Sequence, residues 1–291
     1  IPTRKGSYFM RKRNNFISVL TMFLAIGFAI IFSIPVKATA NGVQLKANRT
    51  YTAYDVTGDG MKDKIRIRAA NQTDDEAYSS LTVSVNGKTA YRLKNTRFYN
   101  VIANIYTLKN GQPFLYLYAP AENGDGPVCA LLKYTNGKFR KALDFTEIMA
   151  GYGNHRIGEV TNLNGNKIVI TESIVSYSLG INAINFTYNY VNGKFVPTSR
   201  YGSYKEIYSA DGSSRYFTVN SDLPAYARPG ATAVNTTLKT GSLTKIIKCA
   251  LINRKMYIQL ECDGEIYWIK ALENPPIADN ERQFMEVRYA G

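Results

Sequence analysis

The stretch Asp55-Val56-Thr57-Gly58-Asp59-Gly60-Met61-Lys62-Asp63 carries oxygen-bearing side chains at loop positions 1, 3, 5 and 9, with glycine at position 6. Side chains at odd positions of such a loop converge on one centre. Calcium prefers such a set, taking about 6–8 hard oxygens at about 2.3–2.6 Å. The expected ligands of one structural calcium ion are the carboxylates of Asp55, Asp59 and Asp63, the Thr57 side-chain oxygen and the Met61 main-chain carbonyl. Position 12 is Arg66, where a helix–loop–helix site would have glutamate, and the loop runs into the alternating Lys64–Arg68 (KIRIR). The loop is therefore expected between strands, with Lys62 and Lys64 opposing cation binding. The other reading is an Asp-Gly turn capped by its own carboxylates.

Side chains for covalent or acid–base chemistry are sparse. His155 is the only histidine, and neither it nor Cys129 has a partner suggested by spacing. A Ser/His/Asp set cannot be assembled on that basis. Glu147, Glu159 and Glu172 lie in stretches poor in acids, but nothing singles out a pair of the kind glycoside hydrolysis uses. The expectation is a non-enzyme, with a secreted hydrolase whose acidic pair meets only in the fold as the alternative. Three cysteines, Cys129, Cys249 and Cys262, leave at least one free thiol. A hairpin turning at Asn253-Arg254 would set Ile258, not Cys262, opposite Cys249, so no disulfide framework is expected.

These residues need elements to hold them. Tyrosine outnumbers the other aromatics, at 22 against 13 phenylalanines and one tryptophan, which favours pleated surfaces. Lys64–Ala69, Leu81–Val85, Phe114–Tyr118, Ala130–Tyr134, Lys167–Thr171 and Ile184–Tyr190 read as strands. Asn86-Gly87, Asn110-Gly111, Asn136-Gly137, Asn164-Gly165 and Asn192-Gly193 read as tight turns, since both residues tolerate positive φ. Gly87, Gly137 and Gly193 are 50 and 56 residues apart; Gly60, Gly111 and Gly165 are 51 and 54 apart. Two series with one period predict three copies of a unit of about 50 residues, the size of a four-stranded propeller blade. The expected fold is all-β: an incomplete, propeller-like antiparallel domain over 41–205, a linker over 206–213, a small barrel over 214–272 and a tail over 273–291 with a last strand at Phe284–Tyr289. Chance recurrence of Asn-Gly turns is the competing reading.

Residues 1–40 read as an export signal. Met10-Arg11-Lys12-Arg13 is a charged start, Phe16–Ile34 is a run of 19 uncharged residues, and Ala38-Thr39-Ala40 is a small-x-small cleavage site. Residues 1–9 read as upstream translated sequence and Asn41 as the mature start; an uncleaved membrane anchor is the alternative. Residues 1–40 hold six basic residues and no acid, so the remainder carries +8 of the net +14. That charge is spread out, without a basic run. Nucleic acid is not an expected partner; the charge reads first as a solvated surface, and the functional reading beside it is attraction to an anionic matrix such as cell-wall polymer or lipid headgroups.

Two resemblances extend this reading. The Asp-rich loop resembles those of VCBS and FG-GAP repeats, which sit between strands and imply calcium. Phe217-Thr218-Val219-Asn220, Leu223-Pro224-Ala225-Tyr226, Thr237-Leu238-Lys239-Thr240-Gly241, Met256–Leu260 and Tyr267-Trp268-Ile269-Lys270 resemble, in that order, the bacterial Src-homology-3-like domain. Tyr267 stands where that family has glycine. The resemblance implies docking on cell-wall peptide or polysaccharide, with Tyr226, Tyr257 and Trp268 lining a groove; a lone tryptophan as core is the alternative. The whole chain resembles secreted proteins of clostridial-type Gram-positive bacteria. It is expected to act as a monomeric, secreted or cell-surface binding protein.

Overall fold

The computed structural model describes residues 42–73, 76–208, 212 and 215–289. The expected export signal and its cleavage site lie outside the described residues. Among the described residues the regular structure is antiparallel strand, apart from 3-10 turns at Phe145–Glu147 and Asp279–Glu281. No helix among them is long and apolar enough to cross a membrane.

After β1 (Val43–Leu45), the chain forms three consecutive up-and-down meanders. The first is β2 (Thr50–Tyr54), β3 (Asp63–Gln72), β4 (Tyr78–Val85) and β5 (Lys88–Phe98). The second is β6 (Ile102–Thr107), β7 (Pro113–Ala119), β8 (Val128–Thr135) and β9 (Lys138–Asp144), with β1 added at the β6 edge. The third is β10 (Gly153–Asn164), β11 (Lys167–Ser176), β12 (Gly180–Val191) and β13 (Lys194–Pro197). All six strands expected from alternation are present.

The turn chemistry explains the register. Asn86-Gly87, Asn136-Gly137 and Asn192-Gly193 each join the third strand of a meander to the fourth, with asparagine φ of 50–51° and glycine φ of 77–81°. Both central residues of such a turn need positive φ, which matches the right-handed twist of the strands. Gly60, Gly111 and Gly165 fall between first and second strands. In the third meander Asn164 pairs with Lys167, so the two-residue loop is Gly165-Asn166 rather than Asn164-Gly165. In an up-and-down meander both kinds of connection lie at the same end, so the Asp-rich loop shares its end with the Asn-Gly turns.

The first two sheets pack face to face. Ile65, Ile67, Leu81 and Val83 of the first meet Leu115, Leu117, Ala130 and Leu132 of the second in one core. The opposite face of the second sheet, with Phe114, Tyr116, Tyr118 and Leu131, packs on Ile168, Ile170, Ile184 and Phe186 of the third. The middle sheet is thus covered on both faces, and β7 is buried along nearly its whole length.

The third sheet does not stop at its meander. β14 (Tyr201–Ile207) pairs with β12 on one side and β18 (Leu243–Ile252) on the other; β19 (Lys255–Cys262) and β20 (Glu265–Lys270) follow, and β15 (Tyr216–Thr218) pairs with β18. Residues 206–207, expected as the start of a linker, are therefore strand. Phe217, Ile246 and Ile258 share one core with Ile184 and Phe186. β16 (Leu223–Ala225) and β17 (Thr236–Leu238) form a separate hairpin, which a Tyr226–Trp268 bridge ties to β20. No sheet is closed. The strand expected at Phe284–Tyr289 is absent: Phe284 makes an isolated bridge to Val219 and is buried 5.5 Å from Phe217, while the Arg288 carbonyl accepts from the Ile181 N–H. The tail is held by the core and by single backbone bonds rather than by a ladder. As expected, Cys249 faces Ile258; all three thiols prove free and buried.

Candidate functional site

The Asp-rich loop leaves β2 and returns as β3. Asp63, the first residue of β3, is buried, and its carboxylate is filled from four directions. Oδ2 accepts from the Val56 and Thr57 amides (2.7 and 2.9 Å), and Oδ1 accepts from Asn86 Nδ2 (2.6 Å) and the Thr57 hydroxyl (3.3 Å). Asn86 belongs to the first Asn-Gly turn and also accepts from the Lys64 amide (2.8 Å), so that turn clamps the end of the loop. Asp55 accepts from the Gly58 and Gly60 amides (2.6 and 2.8 Å) and lies 3.2 Å from the Thr57 hydroxyl. Slight desolvation works to raise the Asp55 carboxyl; the amides of Gly58 and Gly60 and the Thr57 hydroxyl outweigh it and hold the group below its ordinary value.

Asp55, Thr57 and Asp63 thus converge through one hydroxyl. Asp59 does not join them: its carboxylate accepts from the Met61 amide (2.8 Å) at the exposed tip. Among the described residues no three His, Cys, Asp or Glu side chains form a metal-holding group. The donor set suits a hard cation chemically, and Asp59 stands apart from the other two carboxylates.

Beside this loop lies a groove of about 710 Å³. Its walls come from Tyr54–Gly58, from the β6–β7 connection with Asn110 and Gln112, and from the β8–β9 hairpin with Lys133, Tyr134 and Asn136. Tyr134 is held edge-on to Phe139 at 5.3 Å, and Lys133 donates to the Tyr190 hydroxyl at 2.9 Å. Burial, then the neighbouring Tyr51, raises the Tyr54 phenol, which stays a hydrogen-bond donor at neutral pH. Two half-buried tyrosines, three amide side chains and one carboxylate can pack on sugar rings and hydrogen-bond their hydroxyls. Sequence reasoning missed this groove, although Asn110 and Asn136 belong to the turn series that marked that end of the sheets.

The structure brings Tyr226, Tyr257 and Trp268 together. They form one cluster with Ala250, on the face of β18–β20 opposite the main core, under Tyr201, Ala231 and Ile252. All three are buried, and Trp268 is 4% exposed. Lys248 and Lys270 lie over Tyr201 and Tyr226 at 4.6 and 5.1 Å from the ring centroids. This is a packed aromatic layer with a cationic cover, so the three rings do not line an open groove.

The lone histidine has an unforeseen neighbour. His155 Nε2 lies 3.1 Å from Glu172 Oε2. The approach is close but misaligned, so neither group gains a well-directed hydrogen bond. Glu172 is fully buried, and burial, then Asp144, pushes its carboxyl well above the ordinary value; burial lowers His155 against the opposing pull of Asp144 and Asp125. Both shifts favour neutral partners. Nearby, the Cys129 thiol is pushed up to about 12, chiefly by burial, and sits 3.4 Å from both the amide and the carbonyl of Gly158. A protonated, buried thiol is a poor nucleophile. Glu147 and Glu159 are exposed. A signal for Glu172 does exist in the sequence: it interrupts the apolar stripe Ile168, Ile170, Ile174 of β11.

No protein-family model matches the chain, and no curated protein and no solved structure matches it.

Proposed function

We propose that the chain is a non-catalytic secreted or cell-surface binding protein that holds a hydroxyl-rich cell-wall or extracellular polysaccharide in the groove beside the Asp55–Asp63 loop. The groove carries this reading: about 710 Å³, polar, with Tyr54 and Tyr134 among its lining residues. Its one carboxylate, Asp55, is one short of the pair that glycoside hydrolysis uses, so the lining suits holding a polymer more than cleaving it. In the same reading one calcium ion, bound by Asp55, Thr57, Asp59, Met61 and Asp63, offsets carboxylate repulsion and stiffens the groove wall. The three stacked meanders serve as blade-like units of an open propeller-like stack; the equal placing of both turn series supports this. The strands β15–β20 serve as a Src-homology-3-like module, supported by the bridge that brings β16 to β20.

Retention on insoluble cell-wall polysaccharide tests the groove. Wild type is expected in the bound fraction and Tyr54→Ala/Tyr134→Ala in the supernatant, with unchanged circular dichroism. Equal retention of the two would remove the groove from the reading. Melts with calcium and with chelator test the ion. Binding only to the folded state adds about 2.7 kcal/mol at a hundredfold excess over Kd, and Asp59→Ala is expected to lose most of that shift. Equal wild-type midpoints would leave the loop as a self-capped turn.

A further inference from the structure

The outer face of the first sheet is free of the core and carries one sign of charge. Ile65, Ile67, Leu81 and Val83 point inward, so Lys64, Arg66 and Arg68 on β3 point outward, each exposed. Across the sheet Arg66 pairs with Ser84, Arg68 with Thr82 and Ala70 with Ser80; beyond them Thr82 pairs with Arg92 and Ser80 with Lys94. The outward face is thus two cationic rails, Lys64/Arg66/Arg68 and Arg92/Lys94, flanking a central row of hydroxyls, Ser80, Thr82 and Ser84. A concavity of about 430 Å³ lies along it, lined by Arg68, Ser80, Thr82, Arg92 and Lys94.

None of these five cations makes an ion pair among the described residues. The acids between residues 64 and 98 are confined to 74–76, in the connection from β3 to β4. Like charges held together without counter-charges cost stability unless a ligand supplies them. Strand geometry fixes their spacing: two residues along a strand span about 6.6–6.8 Å, and the rails are two strand spacings, or about 9.6 Å, apart.

We infer that this face is a docking surface for a linear phosphodiester polymer without bases, such as a polyol-phosphate chain, laid along the hydroxyl row between the two rails. Arginine forks match phosphate oxygens in bidentate fashion, and the rails supply three of them. Ser80 and Ser84 donate to the Ala70 and Arg66 carbonyls, so the row offers the polyol chiefly acceptors, with the Thr82 hydroxyl as a donor. No aromatic side chain lines the concavity itself, so bases would find no stacking platform there and a bilayer no interfacial anchor. The inference deepens the polymer-binding reading by adding a second ligand class. It rests on residues outside the groove, so the two can fail separately.

The test uses the purified chain and immobilised poly(glycerol phosphate), with salt titration. Wild type is expected to bind at low salt and to lose affinity steeply as salt rises. Arg68→Glu/Arg92→Glu is expected to weaken binding about tenfold or more, and Arg68→Gln/Arg92→Gln, which adds no new charge, by less. Lys194→Glu on β13 serves as a control whose charge change equals that of Arg68→Gln/Arg92→Gln, and it is expected to weaken binding far less than either double variant. Tyr54→Ala/Tyr134→Ala is expected to bind as wild type does, which separates this surface from the groove. Binding that the Arg68/Arg92 variants leave intact, or that Lys194→Glu reduces equally, would overturn the proposal. Tighter binding to single-stranded DNA of equal charge, or to phosphatidylglycerol vesicles, lost with the same variants, would overturn it in favour of nucleic acid or membrane.

Discussion

The first and second sheets pack on each other yet are written in different codes. β3 alternates strictly, with Ile65, Ile67 and Ala69 buried and Lys64, Arg66 and Arg68 exposed. β7 is nearly continuous in apolar and aromatic residues, and both of its faces are covered: Leu115 and Leu117 by the first sheet, Phe114 and Tyr116 by the third. A strand with one wet face needs period two; a strand with two dry faces does not. The order of layers is therefore written in how strictly each strand alternates, and the outermost sheet is the one free to carry a charged ligand face.

Substitutions on the two sheets sharpen this contrast. Leu117→Ala removes a fully buried side chain from the middle layer and is expected to cost about 2–5 kcal/mol in urea unfolding. A loss below 1 kcal/mol would mean that β7 is not clamped between two sheets. Next in size is Gly158→Ala, at the approach of the second sheet to the third. Its Cβ would lie 2.7 Å from the Cβ of Phe145 and 2.4 Å from Glu172 Oε1. Overpacking there is expected to cost about 1–3 kcal/mol; a neutral result would show slack between the layers.

The third change titrates. Glu172 is raised by burial, so its contribution is fully present below its ordinary value of 4.5 and is lost as pH rises towards the folded-state value. Glu172→Gln removes that loss. Its stability relative to wild type is expected to climb by about 1.4 kcal/mol per pH unit above that point. His155, lowered by burial, acts in the opposite sense, losing stability as pH falls below 6.5. A Glu172→Gln advantage independent of pH would mean that the carboxyl is ionised inside the fold. Smallest is Arg68→Ala on the outer face, expected within about 0.5 kcal/mol of wild type in the same denaturation series. A larger loss would mark Arg68 as structural.

Much of this fold was legible because its signals are local. Asn-Gly turns demand positive φ from the two residues named, and hairpin counting from Asn253-Arg254 put Ile258 opposite Cys249 without any tertiary information. β14 was not legible: Tyr201–Ile207 mixes glycine, serine and charge, and becomes a strand because β12 and β18 offer it an edge on each side. The Asp-rich loop was legible as a loop, but the contribution of Asn86 to it depends on β3–β4 pairing 23 residues away. The basic face escaped notice because its cations are spaced by two and never form a run. The His155–Glu172 approach depends on a register shift between His155 and Ile157. That shift moves His155 to the face that Gly158 and Glu172 share, which simple alternation would deny it.

Trp268 is the only tryptophan, and its burial against Tyr201, 5.9 Å away, makes it an optical label at a known address. Its emission reports the layer formed by β18–β20, whereas far-ultraviolet ellipticity averages over every sheet. The first sheet lies two layers from the strands that carry this fluorophore and shares no core cluster with them. Superimposable fluorescence and ellipticity transitions would therefore require that the loss of one layer topples the next across the doubly covered middle sheet. Separated transitions would give each layer its own melting point, read from the native chain without an added dye.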